Sequence, residues 1–212
     1  MRKNEWKKIG RFGFQNITYE EACIIEEHEN VKEISVMHPI GTYTNLTDNS
    51  AYYTERSIVE FDSNAINNLL KNNLISGKLP ENDTEVVVHI NSFDKIGDTL
   101  ERTLEDGTKK QYTVVGTISW FYNNLIKETE AITLLDRNNL QKDDIVNITV
   151  LSKDVSHIYS DYFDIYYQLD SYQKGESNLD ESVQYNKNLL ELEDVLDSTS
   201  EFQKDINTTK GI

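Results

Sequence analysis

The stretch from Leu74 to Ile118 constrains this chain more than any other part of it. Val86, Val87 and Val88 form a short apolar run bounded by turn residues, which reads as a buried strand. Gly97-Asp98 is a turn that feeds the next strand. Asp106-Gly107 is a hairpin signal, and the spacing predicts a type I′ turn, whose two central residues both need positive φ. Tyr112 to Ile118 is then the returning strand, and Gly116 inside it marks a bulge or a close backbone approach. The stretch is a small β unit, and the rest of the chain has to be arranged around it.

Upstream, Thr18-Tyr19-Glu20-Glu21 is a capping box, with Thr18 as N-cap and Glu21 reaching back to it. A helix follows to about Glu29, with Ala22, Ile25 and His28 on one face, and Asn30 can close it. Val31 to Thr44 reads as a strand in which Ile34, Val36 and His38 alternate with Glu33, Ser35 and Met37; Pro39 marks an interruption or an edge. Arg11 to Phe14 is a short strand before the helix. Tyr52 to Phe61 is a further strand, after which Asp62 or Ser63 caps a helix running to about Leu74. Its stripe is Ile66, Leu69, Leu70 and Leu74, and Gly77 stops it.

Downstream of the β unit come three consecutive aromatics, Trp120-Phe121-Tyr122. Glu130 to Leu135 and Ile145 to Leu151 read as strands, the latter with Val146, Ile148 and Val150 on one face. Asp154 or Ser156 can cap a helix to about Leu169, striped by Val155, Ile158, Tyr159, Tyr162, Tyr166 and Leu169. A short strand at Ser182 to Tyr185 and a helix at Leu189 to Leu196 precede a polar tail. Strand–helix–strand near the N-terminus (11–44) thus recurs near the C-terminus (145–186), with the β-rich segment between them. The fold class expected is α+β: a discontinuous α/β lobe from 11–44 plus 128–190, an inserted small β-rich lobe over 45–127, and flexible ends at 1–10 and 197–212.

Charge narrows the partners. The chain carries 21 Lys and Arg against 37 Asp and Glu, a net charge of −16. Phosphate backbones need clustered cations, so nucleic acid is excluded as a partner, and an anionic lipid surface is disfavoured. Cationic peptides are favoured; the alternative reading is a solvated surface that keeps the domain soluble. A single cysteine, Cys23, allows no internal disulfide and reads as a small buried hydrophobe. No stretch approaches the about 20 apolar residues of a membrane helix, and no signal peptide is present.

The chemistry-bearing patterns are missing. There is no phosphate-cradling Gly-rich loop, no Gly-x-Ser-x-Gly, no His-Glu-x-x-His, no cysteine pair and no Asp-rich calcium loop. His28, His38, His89 and His157 lack a second ligand at zinc-like spacing. The expectation is therefore no catalytic residue, no metal, no cofactor and no enzyme. Trp120, Phe121 and Tyr122 are the candidate partner-binding residues: exposed aromatics at a strand end suit a partner surface, and aromatics covering the edge of the β unit are the alternative.

Two segments carry a family resemblance. The order Ser76-Gly77-Lys78-Leu79-Pro80, Glu85-Val86-Val87-Val88, Gly97-Asp98-Thr99, Tyr112-Thr113-Val114-Val115-Gly116-Thr117-Ile118 resembles the extracytoplasmic domain of MacB-like and FtsX-like ABC transporter permeases. Tyr185-Asn186-Lys187-Asn188-Leu189-Leu190 is similar to the Tyr-Asn-x-x-Leu-Leu that precedes the second transmembrane helix in Gram-positive members. Asp194 stands where the family has a glycine, and the segment from Val88 to Gly97 is shorter than usual. The resemblance covers about Ile17 to Leu192. It implies a porter-like lobe with a small β-rich insertion, placed on the extracellular face of the cell membrane between the first two helices of a permease. It implies a cytoplasmic ABC ATPase, reached through membrane helices outside this chain, and an extracellular peptide, lipoprotein or protein partner. The isolated domain is expected to be a monomer or weak dimer. The rival reading is a secreted or surface-attached peptide- or glycan-binding module.

Overall fold

The computed structural model describes residues 11–46, 56–104, 106–119, 129–153 and 158–170. Among these described residues nine strands form one mixed sheet: β1 (Arg11–Thr18), β2 (Val31–Asn45), β3 (Arg56–Phe61), β4 (Leu74–Gly77), β5 (Glu85–His89), β6 (Thr99–Thr103), β7 (Lys109–Ile118), β8 (Thr129–Leu134) and β9 (Ile145–Ser152). Two helices are regular, α1 (Tyr19–Glu26) and α3 (Ile158–Tyr166). Between β3 and β4 a helical stretch opens as α2 (Ser63–Ala65), widens into a π turn (Ile66–Leu70) and tightens into a 3-10 turn (Lys71–Asn73).

The order along the sheet is β1-β9-β2-β3-β8-β5-β7-β4, with β6 joining β2 to β7. That extra pairing closes a ring. Thr44 and Asn45 of β2 pair with Glu101 and Leu100 of β6, and β6 pairs in turn with Lys109–Thr113 of β7. Strands β2, β3, β8, β5, β7 and β6 therefore make a small closed barrel, which leaves few of their backbone groups unpaired. Its lumen is filled by Tyr43, Ile58, Val86, Val88, Leu100, Tyr112, Val114 and Ala131.

The alternate residues of the same strands point outward into a second cluster. Val59, Val87 and Ile132 pack there against Ile66 and Leu70 of the helical stretch. Val86, Val87 and Val88 are each fully buried because both faces of β5 are covered, so the apolar run reads without alternation. The Asp62 side chain caps the helical stretch by accepting from the Ala65 N–H at 2.7 Å. The stretch ends at Asn73, and Leu74 already belongs to β4. Gly77 thus does not stop the helix: it closes β4, at φ +75°, against Gly116 of β7.

Strand β2 is long enough to serve two cores. Its first half lies between β9 and the barrel, and Val31, Ile34 and Val36 join Phe12, Phe14, Ile17, Val146, Ile148 and Val150 under α1 and α3. The expected alternation fails at Met37, which is fully buried on the opposite face, in the cluster under the helical stretch. The strand carries its apolar face across from one core to the next, past a register shift between Pro39 and Gly41.

Helix α1 keeps its capping box: the Glu21 N–H donates to Thr18 Oγ1 at 3.2 Å and the Thr18 N–H donates to Glu21 Oε2 at 2.9 Å. It ends at Glu26, with Ala22 and Ile25 buried. Helix α3 lays Tyr162 parallel on Phe14, with ring centroids 5.3 Å apart, and edge-on to Phe12 at 5.7 Å. Its buried Asp161 accepts from Asn30 Nδ2 at 2.8 Å, which anchors the α1–β2 turn to α3. Arg137, between β8 and β9, donates through Nη1 to Glu26 Oε1 at 3.0 Å, and its guanidinium lies 5.6 Å from the Tyr19 ring centre.

The β6–β7 hairpin forms as expected at Asp106-Gly107, with the Leu104 N–H donating to the Thr108 carbonyl at 2.8 Å. Its turn is not type I′. Gly107 has positive φ, +81°, but Asp106 does not, and its carboxylate accepts the Thr108 N–H at 2.9 Å. A longer loop with one left-handed glycine does the work of the two-residue turn.

Candidate functional site

Two ends of the barrel differ in character, and strand register separates them. One end collects the finish of β2 (Asn45), the start of β3 (Arg56), the finish of β5 (His89), the start of β6 (Thr99), the finish of β7 (Ile118) and the start of β8 (Thr129). The connection 90–98 lies across this end and is held there by one buried carboxylate. Asp94 accepts from Tyr43 Oη at 2.7 Å, Asn45 Nδ2 at 2.7 Å and Ser92 Oγ at 2.8 Å, and pairs with Arg56 Nη1 at 2.6 Å. Asn45 Nδ2 also reaches Asp98 Oδ2 at 3.0 Å, tying the strand end to the Gly97-Asp98 turn.

The electrostatics follow from this geometry. Burial alone would raise the Asp94 pKa, but hydrogen bonds from Tyr43, Arg56, Asn45 and Ser92 outweigh it and hold the carboxyl below its ordinary range. Burial, then the bond to Asp94, pushes the Tyr43 hydroxyl well above its ordinary value. The Arg56–Asp94 ion pair is thus charged and closed to solvent on the Asp94 side. A buried charge with this many partners fixes a loop in one conformation.

What the loop presents is apolar. Phe93, next to Asp94, is 79% exposed, and its ring lies under the Arg56 guanidinium at 5.6 Å. Leu46, Ile75, Ile90 and Ile96 are each about half exposed in the same neighbourhood. The Leu46 N–H donates to the Thr99 carbonyl, the Ile90 N–H to the Ile118 carbonyl, and Ile96 packs at Gly77 beside β4. Single exposed apolar residues need no explanation, but five of the eight large exposed ones among the described residues surround one barrel end, which makes it the candidate interaction surface. The sequence reading does not single out Phe93 or Ile96; the available signal is three large apolar residues, Ile90, Phe93 and Ile96, spaced three apart in the otherwise polar connection 90–98.

Trp120, Phe121 and Tyr122 lie outside the described residues. Their flanks do not: Ser119 donates to the Asn73 carbonyl at 2.7 Å, and Thr129 pairs with Ser57, both at this same end of the barrel. The chain therefore leaves and re-enters the fold at the rim that carries Phe93. Among the described residues, no group of His, Cys, Asp and Glu is arranged to hold a metal ion, and no helix is long and apolar enough to cross a membrane.

No family model matches the sequence, and no curated protein sequence matches it. Solved structures do. The extracellular domain of the ABC-type transporter YknZ from Gram-positive bacteria matches with a TM-score of 0.50 at 10% identity, over 78% of this chain and 95% of that one. The periplasmic region of MacB from Actinobacillus actinomycetemcomitans matches with a TM-score of 0.49 at 13% identity, over 76% and 81%. A domain of a permease protein from Porphyromonas gingivalis gives 0.48 at 11%, over 81% and 85%. The likeness to the YknZ domain spans nearly all of that domain, and it identifies the fold: this chain is an α+β domain built as the extracellular domain of an ABC-type transporter is built.

Proposed function

We propose that this chain is a non-catalytic extracellular domain of an ABC transporter permease, and that the apolar rim of its barrel is the surface through which motion of the membrane part reaches an extracellular partner. The fold shared with the YknZ domain over 95% of that domain's length carries this reading. On it, a cytoplasmic ABC ATPase drives membrane helices joined to this domain, and the domain does mechanical work without chemistry of its own. The division of labour we propose assigns 11–44 and 128–190 to the α/β lobe nearer the membrane helices and 45–127 to the β-rich insertion, with β2 and β8 of the first running on into the barrel that ends in the rim. Trp120, Phe121 and Tyr122 join Phe93 as partner-binding residues. A buried network under an exposed aromatic supports this assignment, because a rigidly held anchor loses little conformational entropy on docking.

The partner is a peptide or protein with an apolar anchor, and its identity is to be found by capture. Membranes of cells producing the whole gene product are solubilised, and the proteins co-purifying with the parent are compared with those co-purifying with Phe93→Asp. Phe93 is mostly exposed, so the change leaves folding stability within about 0.5 kcal/mol. The expected outcome is that an ABC ATPase co-purifies with both, while an extracellular protein or peptide retained by the parent is lost from the variant. An identical set of extracellular partners in both would remove the rim from the account, and the absence of any ATPase from both would favour a free-standing interaction module.

A further inference from the structure

The opposite end of the barrel carries a second feature, of the other chemical character. In the β6–β7 ladder Leu100 faces Tyr112 and Arg102 faces Lys110. Leu100 and Tyr112 both point into the lumen. Side chains alternate along a strand, so Arg102 and Lys110, each two residues away, share that inward face and stand at its mouth. Like charges directly opposite across a strand pair destabilise the pair. In a chain of net charge −16, two cations set against each other on a lumen face call for an anion between them.

The surroundings match. The Tyr112 side chain is buried, and among the described residues its hydroxyl has no partner in full hydrogen-bond geometry, with the Arg102 guanidinium close beside it. A buried hydroxyl without an acceptor carries the cost of its lost hydration, so a ligand that accepts from it is favoured. The Lys110 ammonium sits 5.4 Å from the centre of the Tyr112 ring. Gly41 lies on β2, the strand paired with β6, and its Cβ position is 3.8 Å from Arg102 Nε, which places the guanidinium against the Gly41 backbone. Among the described residues no carboxylate is within salt-bridge distance of Arg102, whereas Lys110 is held by the exposed Asp83 at 2.8 Å. On the β3 side Glu60 is engaged by His38 Nδ1 at 3.1 Å.

We propose that this mouth is a binding site for a carboxylate, seated on the Arg102 fork, accepting from Tyr112 Oη and flanked by Lys110. A guanidinium suits any planar or tetrahedral oxyanion. Glu60 and Asp83 nearby make a single negative charge a better match than the double charge of phosphate. The site is separate from the apolar rim and does not depend on the function proposed for it.

The test is amide and arginine-side-chain NMR on the ¹⁵N-labelled chain at constant ionic strength. The probes are sodium acetate, inorganic phosphate and a short uncharged peptide with its C-terminus either free or amidated. Acetate is expected to give saturating shifts at Gly41, Tyr112 and Arg102 Nε. Arg102→Gln weakens binding about tenfold or more, the loss of a charged hydrogen bond. Lys110→Gln weakens it less, and Lys95→Gln, at the far end of the barrel, leaves it unchanged. If Arg102→Gln loses its native amide dispersion, Arg102→Lys, which keeps the charge without the fork, is read in its place and also weakens binding. Tighter binding of the free-acid peptide, with none of the amidated one, assigns the carboxylate to a peptide end; equal binding of acetate assigns it to a small free acid. Shifts that stay linear with concentration, phosphate binding tighter than acetate, or an Arg102 variant that binds as the parent does would each overturn the proposal.

Discussion

Asp94→Ala destabilises the domain by about 3–5 kcal/mol, the cost of leaving a buried charge without its partner. The substitution strands Arg56, Tyr43 and Asn45 together, since all three direct donors to this one carboxylate. It also frees the connection 90–98, so Phe93 is no longer held in place. Asp94→Asn keeps the shape and one of the two acceptor oxygens, and loses less than Asp94→Ala. Urea unfolding followed by tyrosine fluorescence measures both. The pH dependence has a defined sign. Asp94 is held below its ordinary carboxylate range, so its contribution is fully present above about pH 4 and is lost as pH falls through its lower folded value. Stability of the parent therefore drops on acidification below about pH 4, and Asp94→Asn shows a shallower drop over the same window. Equal slopes for the two would mean that Asp94 is not the carboxylate that ties the rim together.

Gly77→Ala produces the second large effect, about 2–6 kcal/mol, from two separable causes. Gly77 has φ +75°, and an alanine held there is strained by about 1–3 kcal/mol. Its Cβ would also stand 2.1 Å from the Val115 carbonyl oxygen and 2.8 Å from Gly116 Cα, both backbone atoms that cannot step aside. Overpacking of that kind adds about 1–3 kcal/mol. Gly107→Ala is the control, because Gly107 has φ +81° and nothing within 4 Å of its Cβ position, so it feels strain alone. The difference between the two variants, read as a difference in unfolding midpoint, is the contact cost of the β4–β7 approach. If the two lose the same stability, β4 can shift away from β7 without penalty.

That glycine pair shows what the sequence makes legible. Gly116 in the middle of Tyr-Thr-Val-Val-Gly-Thr-Ile requires a close backbone approach, and the chain approaching it is β4 at Gly77 and Lys78. The same local logic holds for the Thr18/Glu21 capping box, for the Val86–Val88 strand and for the Val146, Ile148 and Val150 face, because each depends on neighbours a few residues away. Long-range pairing is where it stops. The barrel closes through two residues, Thr44 and Asn45, meeting β6 more than 50 positions later, and no periodicity announces that register. Met37 defeats the alternation rule because β2 passes between two cores. Leu74 belongs to a strand although it completes a helical stripe, since pairing with Ile118 outweighs one more turn of helix. Asp94 is one acidic residue among 37 Asp and Glu, and only the fold brings Tyr43, Asn45 and Arg56 to it.

The central claim, that the barrel rim faces the outside of the cell as part of a membrane transporter, is tested most directly by labelling. Phe93→Cys is introduced into the whole gene product on a Cys23→Ser background, and intact cells are treated with a membrane-impermeant maleimide. Phe93 is the most exposed of the large apolar side chains described, so a thiol there is open to the reagent. The account predicts labelling in intact cells of a protein recovered in the membrane fraction. Labelling that appears only after lysis, or a protein recovered only in the soluble fraction, would contradict it.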